Sequence, residues 1–171
     1  MTCILVSPLS AVEQTIEAWH PSHLVSLLSP EYMIETPRGV VSERHLKLAV
    51  NDVVDDVEDM TPPTREHVSR LVEFGHGWRG DAPMLIHCWA GISRSMAAAY
   101  TLLCKRAGPA RELEIARALR ERAPHAHPNA LIVRHADVLL GRDGRMVAAI
   151  ASIGRGEIVS EGSCVQLPLV F

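Results

Sequence analysis

Residues 85–100 read "LIHCWAGISRSMAAAY", with a histidine, a cysteine, a glycine, an arginine and two serines set between apolar flanks. The left flank, "MLIH" from Met84 to His87, has the form of a short strand buried on both faces. The right flank, "SRSMAAAYTLLCKRAGP", is a helix of small residues stopped by Lys105, Arg106, Gly108 and Pro109. Polar groups between two buried elements are costly unless they are partnered or used. The loop "CWAGIS" that joins strand to helix is therefore the part of the chain that needs a reason.

A tight loop entering a helix leaves backbone N–H groups unpaired at the helix start. With the helix dipole behind them, those groups form a cradle suited to a phosphate dianion. Gly91 permits a backbone turn that a side chain forbids. Arg94, in the first helical turn, can lay its planar fork over two phosphate oxygens. The same field stabilises a thiolate at the mouth of the cradle, so Cys88 is expected as a nucleophile beneath the phosphorus. His87 is expected to hold the loop by hydrogen bonds, and Ser95 to donate to the sulfur and help it leave in a second step. The expected phosphate loop is His87, Cys88, Trp89, Ala90, Gly91, Ile92, Ser93 and Arg94.

A Cys–Arg pair six apart is weak on its own. Four cysteines and 15 arginines in 171 residues produce one by chance about one time in three. Requiring His before the Cys, Gly three after it and Ser after the Arg lowers this to roughly 10⁻⁴.

Outward from the loop, "CILVSPL", "HLVSLLSP" and "HLKLAV" read as strands, and "SAVEQTIEAW" as a helix that Ser10 is expected to cap. "NDVVDDVEDMTPPT" reads as an acidic loop. Thr61 and two prolines suit the start of the next helix, which carries Val68, Leu71 and Val72 on one face. "ARELEIARALRERAP" and "NALIVRHADVLLG" read as two further helices, with Asn129 as a cap, and "RMVAAIASIG" as an extension of the last. The tail "EIVSEGSCVQLPLVF" is expected to add an edge strand or to pack loosely. Strands alternating with helices imply one α/β domain over residues 1–171, a mixed, mostly parallel sheet with helices on both faces. The site falls at the carboxyl end of a strand.

"HCWAGISRS" resembles the His-Cys-x5-Arg-Ser/Thr signature of the protein tyrosine phosphatases, in particular their small dual-specificity-like branch. "AVND" resembles the segment where that family keeps its general-acid aspartate, and "RERAPHAHPNALIVRHAD" resembles its helix, Pro-Asn turn and helix. The resemblance spans about Leu46 to Leu140. It implies a phosphate-monoester hydrolase with a cysteinyl-phosphate intermediate and no metal or cofactor, acting on a phosphorylated protein or a small phosphate monoester. On this reading Asp52 is the general acid, because it directly follows a strand, with Asp55 and Asp56 as the alternatives. The acidic stretch after Asp52 is longer than the family pattern, Trp89 puts a bulky ring in the loop, and the loop lacks the lysines of phosphoinositide members. The rivals are a phosphate-binding module without turnover and a rhodanese-like or arsenate-reducing thiol enzyme.

Composition narrows the classes. A formal charge of −3 and a pI near 6.3 give no global case for nucleic acid. No apolar run reaches the roughly 20 residues that span a bilayer. "MTCILVSPLS" has no basic n-region, and four cysteines without CxxC spacing suit a reducing cytoplasm. Cys104 reads as a small buried hydrophobe; Cys3 and Cys164 have no assigned role. His125, His127 and His135 show no zinc spacing and are expected in a loop and on a helix surface. "GRG" at 154–156 reads as a turn. The turn at Asp143 reads as solvated, with Arg142 or Arg145 the residues there that could border a ligand.

Overall fold

The computed structural model describes residues 2–170; Phe171, the last residue of the expected tail segment, lies outside them. Apolar runs at strand length give β1 (Cys3–Pro8), β2 (His23–Leu28), β3 (His45–Ala49) and β4 (Met84–Cys88), which pair in parallel in the order β3-β2-β4-β1. The tail supplies β5 (Val165–Pro168), antiparallel on the β1 edge. The sheet is thus mixed and mostly parallel, as the alternation of elements implied. Strand β4 enters last among the parallel four and sits between β1 and β2, so the loop that follows it opens where the strand order reverses.

Side-chain alternation sends the two faces of the sheet to different neighbours. Cys3, Leu5, Leu24 and Leu85 pack with Val12 and Ile16 of α1 (Val12–Trp19). Ile4, Val6, Val25, Leu27, Met84 and Ile86 join the larger core. That core is closed by α2 (Arg65–Gly77), α3 (Arg94–Ala107), α4 (Glu112–Arg122), α5 (Ala130–Leu139) and α6 (Arg145–Ser152). Helix α3 touches β1, β2, β4, α2, α4 and α5, and every residue from Arg94 to Cys104 is buried. Its small residues follow from that position, since larger side chains would hold sheet and helices apart. No helix among the described residues is long and apolar enough to cross a membrane.

Four local expectations are corrected. Ser10 caps nothing: a 3-10 turn over Leu9–Ala11 precedes α1, Ala11 takes the cap position, and Ser10 Oγ donates to Glu161 at 2.8 Å. Helix α2 starts at Arg65, not at Thr61 and its prolines. Thr64 is the cap: its Oγ1 accepts from the His67 N–H, while His67 Nδ1 accepts from the Thr64 N–H. "RMVAAIASIG" does not extend α5 but forms a separate α6, because Gly141, Asp143 and Gly144 adopt positive φ and turn the chain. Arg142 is not solvated. It is buried, pairs with Glu112 at 3.3 Å and donates to the Cys104 carbonyl at 3.0 Å. Arg145 reaches the same Glu112 at 3.5 Å. Both arginines tie α3, α4 and α6 together, and neither lines the cavity at β4.

Candidate active site

The loop after β4 is held from outside by its carbonyls. The Trp89 carbonyl accepts from the Leu9 N–H at 3.1 Å, and the Ala90 carbonyl from the Gly162 N–H at 2.8 Å. The Ile92 carbonyl accepts from the His127 N–H at 2.9 Å, and the Ser93 carbonyl from the Asn129 N–H at 3.2 Å. Three separate segments (the end of β1, the stretch before β5 and the approach to α5) therefore pull the carbonyls outward. Among the described residues, no loop or cap hydrogen bond uses the N–H groups of residues 89–94. N–H groups without loop partners at a helix start can hold an anion. Gly91 is required twice over. Its φ is +69°, and a Cβ there would lie 2.7 Å from Pro8 N and 2.8 Å from the Ser7 carbonyl carbon.

Inside the loop, Cys88 Sγ lies 3.1 Å from Ser95 Oγ, both groups being buried. Arg94 is also buried: Nη1 donates to the Val50 carbonyl at 2.8 Å, which pins the guanidinium, while Nε has no partner. A buried, unpaired guanidinium N–H is costly. Cys88 and Arg94 line one cavity together, and a guanidinium is the group that pairs best with an oxyanion.

Asp52 comes to the same cavity from the end of β3. Its Oδ1 accepts from Ser93 Oγ at 2.7 Å and from Asn129 Nδ2 at 2.9 Å, leaving Oδ2 without a hydrogen-bond partner among the described residues. Asn129 is the α5 cap that was expected, and it does more. Its Oδ1 caps α5 through the Leu131 and Ile132 N–H groups, and its Nδ2 and backbone brace the Asp52 loop and the phosphate loop. Asp55 and Asp56 are exposed and do not line the cavity. The cavity measures about 800 Å³ and continues past the loop between Val54, Val133, Val147 and Ile150.

His87 points to the opposite face of the sheet from Cys88. Its Nε2 meets Ser26 Oγ at 2.6 Å and its Nδ1 faces the Cys88 carbonyl at 3.4 Å. Burial pushes the imidazole down to about 4, so it is neutral near pH 7. Trp89 is half exposed and packs on Tyr32 at 5.0 Å between ring centroids. Of the expected loop residues, Cys88, Trp89, Ala90, Ile92, Ser93 and Arg94 line one cavity, whereas His87 and Gly91 do not. Of the histidines, His127 is exposed, His135 Nε2 lies 3.2 Å from the Pro63 carbonyl, and His125 lies in a loop, as expected, and is buried against Gly162. Tyr32, Ser26, Pro8 and Gly162 were not anticipated. Only Ser26 left a trace in the sequence, as a polar residue inside the apolar run "HLVSLL".

No protein-family model and no curated protein matches the chain. Solved structures do. DUSP15 is 17% identical with a TM-score of 0.60, over 87% of this chain and 86% of that one. The human tyrosine phosphatase-like serine/threonine/tyrosine-interacting protein is 19% identical with a TM-score of 0.62, over 80% of this chain and 89% of that one. Tk-PTP in its active form is 19% identical with a TM-score of 0.55, over 83% of this chain and 94% of that one. At such identity the likeness is one of fold, and turnover has to be argued from the site. The chain has the fold of the small dual-specificity-like phosphatases of the protein tyrosine phosphatase superfamily.

Proposed function

We propose that the protein hydrolyses phosphate monoesters, most simply phosphotyrosine on a protein, through a cysteinyl-phosphate on Cys88. The observation that carries this reading is that Asp52, Cys88, Ser93 and Arg94 line one cavity, with Cys88 Sγ 3.1 Å from Ser95 Oγ and the loop carbonyls tied to other segments. The Cys88 thiolate attacks phosphorus, and the ester oxygen leaves with a proton from Asp52. Water then gives a proton to Asp52 carboxylate and attacks the same phosphorus, releasing inorganic phosphate and the thiolate, which Ser95 Oγ stabilises by donating a hydrogen bond. Arg94 and the loop amides carry the charge on the equatorial oxygens through both steps. The cavity as a whole has the volume of a small-molecule site, and its apolar extension suits an aryl or similarly bulky ester.

The test is hydrolysis of para-nitrophenyl phosphate with and without vanadate, on wild type and on Cys88→Ser. Vanadate-sensitive turnover is expected in wild type only, because a serine hydroxyl is not ionised at neutral pH. Retained phosphopeptide binding in Cys88→Ser is expected, since cradle and arginine remain. Wild-type protein that binds phosphopeptide yet releases no phosphate would support the binding-module reading instead.

A further inference from the structure

Four polar residues, Thr36, His45, Ser26 and His87, are not used by the chemistry above, and they form one chain. Ser26 of β2 lies directly opposite His87 of β4, and His45 of β3 lies opposite Leu24, two residues from Ser26 and so on the same face. His87 Nε2 is 2.6 Å from Ser26 Oγ, Ser26 Oγ is 2.8 Å from His45 Nε2, and His45 Nδ1 is 2.9 Å from Thr36 Oγ1. The far end faces the Cys88 carbonyl.

The chemistry of the donors leaves one arrangement. A carbonyl only accepts, so His87 Nδ1 carries the proton toward Cys88. Burial pushes both His87 and His45 down to about 4, so each ring has a single N–H near pH 7. His87 Nε2 is then bare and accepts the Ser26 hydroxyl proton. Having spent its proton, Ser26 Oγ accepts from His45 Nε2–H, and the bare His45 Nδ1 accepts from Thr36 Oγ1–H. All four bonds run in one direction, from the half-buried Thr36 to the nucleophile. The charged groups around the chain are Lys47 and Glu35, paired at 3.3 Å beside His45, and Arg94 on the His87 side.

We propose that Ser26 and His45 are positioning residues for Cys88, holding His87 in the tautomer whose Nδ1–H faces the Cys88 carbonyl. The proposal rests on Cys88 being the nucleophile. With its carbonyl held, residue 88 cannot rotate its peptide plane, and the loop amides that follow stay aimed into the cavity.

Long-range proton–nitrogen spectra of wild-type protein at pH 7 read the tautomers directly. His87 is expected protonated on Nδ1 and His45 on Nε2; the reverse in either ring overturns the proposal. The second arm follows iodoacetamide labelling of the Cys88 peptide by mass spectrometry from pH 5 to 8, with a melting curve for each variant. Ser26→Ala is expected to slow labelling at pH 6 about three- to tenfold, the worth of one hydrogen bond. His45→Leu is expected to slow it about threefold, and His45→Gln, whose side-chain N–H can still donate to Ser26, to restore it within about twofold. Unchanged labelling in a folded Ser26→Ala, or a glutamine no better than leucine, contradicts the directed chain. Should Ser26→Ala fail to fold, the wild-type spectra decide. None of these readouts needs turnover, so failure here is separate from failure of the phosphatase reading, which the para-nitrophenyl phosphate assay reports.

Discussion

The loop of residues 88–94 and the loop that carries Asp52 meet in one cavity but are built in opposite ways. Residues 88–94 are over-determined: four carbonyls are tied to three different segments, and Gly91 rests directly on the Ser7–Pro8 backbone. The stretch after Asp52 is exposed and acidic through Asp59, and Asp52 itself is fastened at one oxygen by Ser93 and Asn129. The difference matches what the proposed mechanism asks of each. A nucleophile and an oxyanion cradle need fixed geometry, because misplacement by about 1 Å can cost 10²-fold. An acid that gives up a proton and then takes one from water needs solvent at its free oxygen.

Substitutions at the two loops should therefore fail differently. Asp52→Asn is expected to lower kcat by roughly 10²–10⁴ on an unactivated phosphotyrosine peptide, with KM little changed and the basic limb of the pH–rate profile flattened. On an ester with a good leaving group the loss should shrink. Asp55→Asn and Asp56→Asn, run beside it, should stay near wild type; a large loss at either, with Asp52→Asn unaffected, would move the acid along the loop. Arg94→Lys is expected to cost about 10²–10³ in kcat/KM and to weaken vanadate binding, since an ammonium cannot make the two parallel bonds of the guanidinium. Equal activity in the lysine variant would show that the fork is not used. Gly91→Ala should lose about 10²-fold, because the loop must move away from Pro8 to admit a Cβ. Wild-type vanadate affinity in that variant would contradict the close packing.

The smallest effect is on stability. Burial holds His87 at about 4 against an ordinary 6.5. Between those values the unfolded chain binds a proton that the folded chain refuses, so stability rises with pH across this window and is complete above it. The contribution is on the order of 3 kcal/mol. Urea midpoints at pH 7 and pH 4.5 check the sign: the midpoint should be lower at pH 4.5, and an equal or higher one would contradict it.

What was legible in the sequence divides along the same line. "MLIHCWAGISRS" disclosed strand, loop and helix together, because the apolar flanks and the polar turn between them are short-range signals. Asp52 and Asn129 were legible through their places after β3 and before α5, although their shared hydrogen bond was not. The ties from Leu9 and Gly162 were hidden, since backbone donors carry no side-chain signature and Gly162 lies 72 positions from Ala90. Arg142 was misplaced for a related reason. A charged residue in "GRDGR" reads as solvated until the fold delivers the buried Glu112 that pairs with it. The polar stripe of Ser26 and His45 posed the same question as the opening loop, and only the strand register answers it.

The central claim is the covalent intermediate on Cys88, and rapid acid quench with a radiolabelled phosphotyrosine peptide tests it most directly. During turnover the label should appear on the Cys88 peptide of wild type, accumulate further in Asp52→Asn with an activated ester, and be absent from Cys88→Ser. Phosphate release with no labelled cysteine, or with label on another residue, would contradict the account.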